Sequence, residues 1–403
     1  MPVELTARTE EGDRLVALAE ALADDFATRA AEHDRNASYP FASIDALRES
    51  GYFGAPVPVQ YGGMGVTSVH DLLVAASRLA RGDASVAIGV NMHTAVLRNI
   101  VRRWEMAVAA SNERRAASLA AAIEDAARGG VVIATAVSEL GQDLTRPSTT
   151  ATRTQDGWRI EGRKAFCTMS PAATVLYTAV TFANGDGTER YGYARVPADA
   201  PGVVIHDDWD ALGMRASGTN SVSFDGVELP ESALRGGFAA GDAIAYMESN
   251  LSAGLFHASA SLGIAELALD TAARAVRDPG DGQARMHVAG AAIDLSASRA
   301  ALARAATLID DHYAANPTTD GGPEQLTAIF GETQVAKAFI NAAAVRVVDR
   351  AIALSGGAGY RNGHLLARAY RDVRAGAFMH PLGTNRAYDF VADVALGKEP
   401  SLH

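Results

Sequence analysis

With 403 residues, 48% hydrophobic and 21% charged, the chain is long for one core and is expected to divide into two or three packed sub-domains. A net charge of −11 excludes the basic footprint that nucleic acid or an anionic membrane surface requires of a partner, and leaves small polar or neutral ligands open. The single cysteine, Cys167, excludes an intrachain disulfide and a thiolate zinc cluster. Residues 1–14 are charged and carry no apolar signal core, and no run of about 18 apolar residues stands elsewhere, so a cytoplasmic location is expected.

Apolar spacing predicts helices first. Leu15, Leu18, Leu22 and Phe26 recur at three- and four-residue steps, and Ile44, Leu47 and Phe53 follow a break at Pro40. A Pro- and Gly-rich turn over 56–65 interrupts them, after which Ser68 or Asp71 can cap a helix through Leu72, Leu73 and Leu79. From Gly130 to about Gly237 the period changes to that of strands. Short β-branched segments at 131–136, 149–153, 158–161, 175–181, 191–196 and 221–227 are separated by Gly and Asp, with Asp156-Gly157 and Asp225-Gly226 as hairpin signals. Long Ala-rich helices then run from Gly241 to the end, broken around 278–282 and 316–323. Three domains are expected: helical over 1–129, β over 130–238 and helical over 239–403.

Several spaced motifs, in order, carry a resemblance along almost the whole chain. Residues 51–65 are similar to an N-terminal "P-x-x-Y-G-G-x-G" turn, and Ala134-Thr135-Ala136-Val137-Ser138-Glu139 to a strand ending in "T-E". The stretch 157–168, ending Lys164-Ala165-Phe166-Cys167-Thr168, is similar to "G-x-x-I-x-G-x-K-x-W-I-T"; Leu212-Gly213-Met214-Arg215-Ala216-Ser217 with Phe224-Asp225-Gly226-Val227 closes the β domain in the same pattern. Together these resemble the acyl-CoA dehydrogenase superfamily. The resemblance implies a mainly α fold with a central β domain: an N-terminal helical domain, a middle β-barrel and a C-terminal four-helix bundle. It also implies a homotetramer with flavin sites completed between neighbours.

The departures from that family change the expected chemistry. Tyr370-Arg371-Asp372 is similar to its flavin-site loop, where the catalytic Glu follows the Arg by nine residues; here that position is His380. Ala253 and Gly254 stand where many members carry a second Glu and an Arg. No "R-x-x-F-G" motif, the neighbour-subunit contact to FAD, occurs around Arg285-Met286-His287-Val288-Ala289, and Ala353 replaces a usual Gln.

These losses together resemble the class D, two-component flavin monooxygenases. Reduced FAD or FMN, loosely bound and supplied by a separate reductase, would react with O2 to a C4a-hydroperoxide that oxidises a small electron-rich aromatic or amine. In that branch a His often replaces the Glu, because imidazole exchanges protons near neutral pH. The resemblance puts His380 and His93 in catalytic roles, and Val137, Ser138, Phe166, Thr168 and Ser170 against the flavin. The helix over 243–258 suggests a substrate wall of Met247, Leu251, Phe256 and His257. No metal is expected, since His257, His287, His364 and Glu266 lack ligand spacing. Two other readings stay open: an acyl-CoA dehydrogenase or flavin oxidase with a non-standard base, and a non-catalytic member.

Overall fold

Seven residues of the first helix, among them Leu15, Leu22 and Phe26, are buried along one face of α1 (Glu10–Asn36). The Thr9 hydroxyl accepts from the Gly12 amide, and Glu10, Glu11 and Asp13 complement the positive helix N-terminus. In the computed structural model, residues 3–402 are described, apart from Gln142, Arg235, Arg277 and Pro279. Met1, Pro2 and His403, at the outer ends of the expected first and last domains, lie outside the described residues, as does Pro279 in the expected helix break. After α2 (Phe41–Glu49), the helix α3 (Val69–Gly82) begins at Ser68, the residue whose hydroxyl takes the Asp71 amide. Asp71 is instead buried, receiving the Arg8 and Thr9 amides and thereby fixing the segment before α1. Helices α4 (Ala84–Ala109) and α5 (Glu113–Ala127) complete this part.

The β region forms one eight-stranded sheet: β1 (Ile133–Ala136), β2 (Thr150–Arg153), β3 (Gly157–Cys167), β4 (Val175–Ala183), β5 (Glu189–Pro197), β6 (Val203–Ile205), β7 (Asn220–Pro230) and β8 (Phe238–Ala239). Its order is β6-β7-β3-β2-β4-β5-β8, with β1 added in parallel to β4. Trp158, Ile160, Leu176, Val196 and Val222 bury the inner face. The turn at Asp156-Gly157 joins antiparallel β2 and β3 as expected. Asp225-Gly226 does not make a hairpin. It is an irregularity inside β7, where Val227 pairs with Ile160 but Phe224 pairs with Gly162. Gly226 takes φ +62°, so the Asp-Gly pair supplies the left-handed residue of a bulge rather than of a turn.

Helices α6 (Ala243–Ser249), α7 (Ala253–Ala275), α8 (Gly282–Ala315), α9 (Pro323–Ser355), α10 (Leu365–Asp372) and α11 (Thr384–Ala395) follow. The bundle consists of α7, α8 and α9 packed on one another with α11 on α9, and α3 lies against α7. Buried Glu266 of α7 accepts from Arg81 of α3 and Arg299 of α8, tying the first and last helical parts together. No single helix among the described residues is long and apolar enough to cross a membrane; the bent pair α6 and α7 passes by length and composition, and most of α7 is core.

His93 has a structural place in this frame, at the junction of α4 with β1. Fully buried in α4, it faces the Phe53 carbonyl through Nε2 at 3.0 Å and accepts the Ile133 amide on Nδ1 at 3.1 Å. Both nitrogens are therefore spent on backbone, pinning the first residue of β1 to α4. Burial holds its pKa down at about 4, against a smaller opposing pull from the Phe53 carbonyl. The unfolded imidazole titrates near 6.5, so as pH falls below that value the unfolded chain gains a proton that the folded chain refuses. Stability is thus expected to fall between pH 6.5 and about 4, by on the order of 2–3 kcal/mol from this residue. Urea midpoints measured across that window should decline in the wild type and decline less steeply in His93→Gln. An equal slope in both would remove His93 from the account.

Candidate active site

The ends of β1 and β3, the loop before β7, and helices α4, α6 and α7 enclose a cavity of about 940 Å³. A volume of that size suits a flat cofactor with a substrate beside it. On the β side Thr135 lies in β1 and Val137 and Ser138 continue it, while Phe166 lies at the end of β3 and Thr168 just after it. The Ser138 carbonyl accepts the Ala165 amide at 2.9 Å, which keeps the two strand ends together. Phe166 adopts φ +56° and leaves its ring 56% exposed on the cavity wall. Trp209 meets it edge-on with centroids 6.4 Å apart, and the indole N–H is fixed on the Met214 carbonyl at 2.9 Å. Ser217, Thr219 and Thr168 form a line of hydroxyls, linked at 2.6 and 3.1 Å.

Behind this wall lies an ion pair, Lys164 with Glu139 at 2.5 Å, the lysine fully buried. Burial opposes both charges. For Glu139 the Lys164 ammonium and the donors from Thr149 and Ser148 outweigh it, holding the carboxyl at about 2; for Lys164 burial prevails and the ammonium falls to about 8. Both groups are thus ionised at neutral pH.

The loop after α10 supplies the opposite wall. Asp372 Oδ1 accepts the Met214 amide at 2.6 Å, and Arg371 is paired with Asp34 of α1 at 2.5 Å. Gly213 allows this approach, because a Cβ there would sit 2.3 Å from the Arg371 carbonyl oxygen. His380 thereby reaches the cavity, and its Nε2 lies 3.2 Å from both the Tyr246 hydroxyl and Asn250 Oδ1. Burial first, then the charge of Lys337, pulls its pKa to about 3. His257, also lining the cavity, is 5% exposed with both ring nitrogens lacking a hydrogen-bond partner. Burial with the nearby Lys337 and His380 holds it well below the usual histidine range.

Of the expected residues, the fold brings Val137, Ser138, Phe166, Thr168, His257 and His380 to this one cavity. Four others turn away from it. The Ser170 hydroxyl is spent on the Gly218 carbonyl at 3.0 Å and is fully buried. Met247, Leu251 and Phe256 are core residues, 2%, 1% and 0% exposed, and do not line the cavity. The end of α6, the turn after it and the start of α7 present Glu248, Ser249, Asn250, Ser252 and Ala253 to the cavity and pack Met247, Leu251 and Phe256 into the core. The polar cluster of Arg103 with Glu248 and Asp320 was not foreseen, nor was the stacked pair Tyr177 and Tyr193, with centroids 4.6 Å apart.

The exposed ring of Phe166 beside Trp209, the hydroxyl line and the unpartnered nitrogens of His257 fit a planar heteroaromatic group with hydrogen-bonding edges. The sequence matches the acyl-CoA dehydrogenase N-terminal domain over residues 9–105, the middle domain over 133–227 and the C-terminal domain over 244–386. The chain belongs to the acyl-CoA dehydrogenase family. It is 34% identical to the amino sugar nitrososynthase DnmZ of Streptomyces peucetius, covering 97% of this chain and 95% of that one. Among solved structures it is similar to KijD3 in complex with FMN and dTDP-3-amino-2,3,6-trideoxy-4-keto-3-methyl-D-glucose, at 31% identity, TM-score 0.88, and 98% and 96% coverage. It is also similar to TdsC of Paenibacillus sp. A11-2, a dibenzothiophene monooxygenase, solved with FMN and indole: 25% identity, TM-score 0.83, 96% and 99% coverage. These relatives are flavin-dependent oxidoreductases, and FMN is bound in KijD3 and TdsC.

Proposed function

We propose that the protein is a flavin-dependent monooxygenase that oxidises the amine of an amino sugar carried on a nucleotide, using reduced FMN or FAD delivered by a separate reductase. Bound reduced flavin would supply the two electrons that divide O2, one oxygen atom going to the amine to give a hydroxylamine and the other leaving as water. The observation that carries this reading is the state of the acids and bases in the cavity. Both carboxylates lining it, Glu248 and Asp320, are engaged by Arg103, while His380 and His257 are held neutral. A thioester dehydrogenase needs a free carboxylate, or another strong base, at the proton to be removed. An amine oxygenation needs the amine uncharged and oriented, which neutral imidazoles in a mainly apolar cavity would favour.

Each residue has a task in this scheme. Phe166, Trp209, Ser138 and Thr168 would hold the flavin, with Val137 at its edge. His380 would take the proton that the uncharged amine becomes acidic enough to lose only as oxygen is transferred to it, and His257 would accept or donate one hydrogen bond. The close likeness to proteins of amino sugar chemistry supports the amine over the aromatic substrate. A cytoplasmic homotetramer belongs to the same reading. Val335 and Phe339, 45% and 37% exposed on α9, offer an apolar contact for a second copy. Light scattering should then give about four times the chain mass.

The test is a single-turnover assay with photoreduced FMN, oxygen and a nucleotide-linked amino sugar. A product heavier by one oxygen atom is expected. An acyl-CoA dehydrogenase would instead show anaerobic bleaching of oxidised flavin by an acyl-CoA, and that result would overturn the proposal.

A further inference from the structure

We infer that Asn250 fixes the tautomer of His380, so that Nε2 carries the proton and Nδ1 presents its lone pair to the substrate. The inference rests on the proposed function only where it names the substrate; the tautomer itself rests on geometry. Asn250 Nδ2 donates to the Tyr246 carbonyl at 2.9 Å. That contact orients the amide and leaves Oδ1 facing His380 Nε2 at 3.2 Å. An amide oxygen has no hydrogen to give. The contact is therefore attractive only when Nε2 carries the hydrogen, and the Tyr246 hydroxyl, also 3.2 Å away, shares it as a second acceptor. Nδ1 is then the unprotonated nitrogen of a neutral ring.

The surroundings favour that neutral ring from several sides. Lys337 of α9 donates to the carbonyls of His380 and Leu382 at 3.1 and 2.8 Å and to that of Met379, bracing the loop from beneath. Burial draws the Lys337 ammonium down to about 7, while three carbonyl acceptors for its three N–H groups act to keep it charged. The other titratable groups around His380 are His257 of α7, Tyr246 of α6 and Tyr193 of β5, with Arg386 of α11 near Tyr246. None of these is an acid that would stabilise an imidazolium at neutral pH. Asn250 and Lys337 are positioning residues: neither is assigned a bond to substrate, and both act through His380.

Nitrogen-15 spectra of the full-length protein with labelled histidine test the assignment directly. The His380 signals are those missing from His380→Gln. At neutral pH the wild type should show a protonated Nε2 and an unprotonated Nδ1. Asn250→Leu should lose that preference, and kcat should fall about tenfold or more with KM little changed, the mark of a lost transition-state interaction. Asn250→Asp should restore the tautomer, because a carboxylate also accepts from Nε2, but should raise the His380 pKa and move the acidic limb of the rate profile upward. A wild-type ring protonated on Nδ1, or doubly protonated at neutral pH, overturns the inference, as does an unchanged tautomer in Asn250→Leu. Failure of an amino sugar nucleotide to react would strike the proposed function and leave the spectra as they are.

Discussion

His380→Gln is expected to lower product formation by about 10² to 10⁴, the usual range for a lost general acid-base group. Glutamine can keep one hydrogen bond toward Asn250 and Tyr246, both 3.2 Å from Nε2 in the wild type, so the fold and flavin affinity should be retained. It cannot take the amine proton. The electrons of reduced flavin should therefore still be consumed by oxygen and appear as hydrogen peroxide instead of oxidised substrate. Comparing peroxide with product per flavin oxidised makes the separation: a raised ratio with an unchanged rate of flavin consumption assigns His380 to substrate oxidation. An unchanged product yield would return His380 to a packing role.

The largest expected stability effect lies behind the wall formed by the ends of β1 and β3. Glu139→Ala leaves the Lys164 ammonium fully buried without its partner, and breaking such a pair from one side typically costs about 3–5 kcal/mol. The loss is greater than for an exposed pair, because Glu139 also accepts from the Ser148 and Thr149 amides and hydroxyls and so closes the loop between β1 and β2. Lys164→Met combined with Glu139→Ala should recover part of the stability by removing the stranded charge. Flavin affinity is expected to weaken in the single variant, since Val137 and Ser138 sit directly beside the pair. Denaturant unfolding of both variants checks this, and a change in Glu139→Ala below about 1 kcal/mol, the range of an exposed pair, would contradict it.

The order helix, strand, helix could be read from the sequence because each part keeps one apolar period over many residues: three to four in α1, two in the strands. The two-residue β8 and three-residue β6 were too short to show any period. His380 could be located because its loop keeps a fixed distance from Arg371 and Asp372, a local property of the chain. The placing of Met247, Leu251 and Phe256, around Asn250, depended on something not local. Whether Met247 or Glu248 faces inward is set by how α6 meets α9 and the sheet, and a seven-residue helix carries too little pattern to show its phase. A buried polar residue was the available signal. Glu248, Ser249 and Asn250 are adjacent and polar in an otherwise apolar segment, and polar groups in a core need partners or a ligand. His93 is the opposite case: an imidazole among apolar helix residues gives no sign in the sequence of its two backbone partners, Phe53 and Ile133.

In the proposed function this cavity passes oxygen to an amine and does not take hydride from a thioester. One experiment addresses both halves: the protein, reduced FMN and ¹⁸O₂ are mixed with a dTDP-linked amino sugar, and the sugar is analysed by mass spectrometry. The account predicts one labelled oxygen atom on the amine nitrogen, with yield falling sharply in His380→Gln. Unlabelled sugar with stoichiometric hydrogen peroxide in the wild type, together with rapid anaerobic bleaching of oxidised flavin by an acyl-CoA, would contradict it.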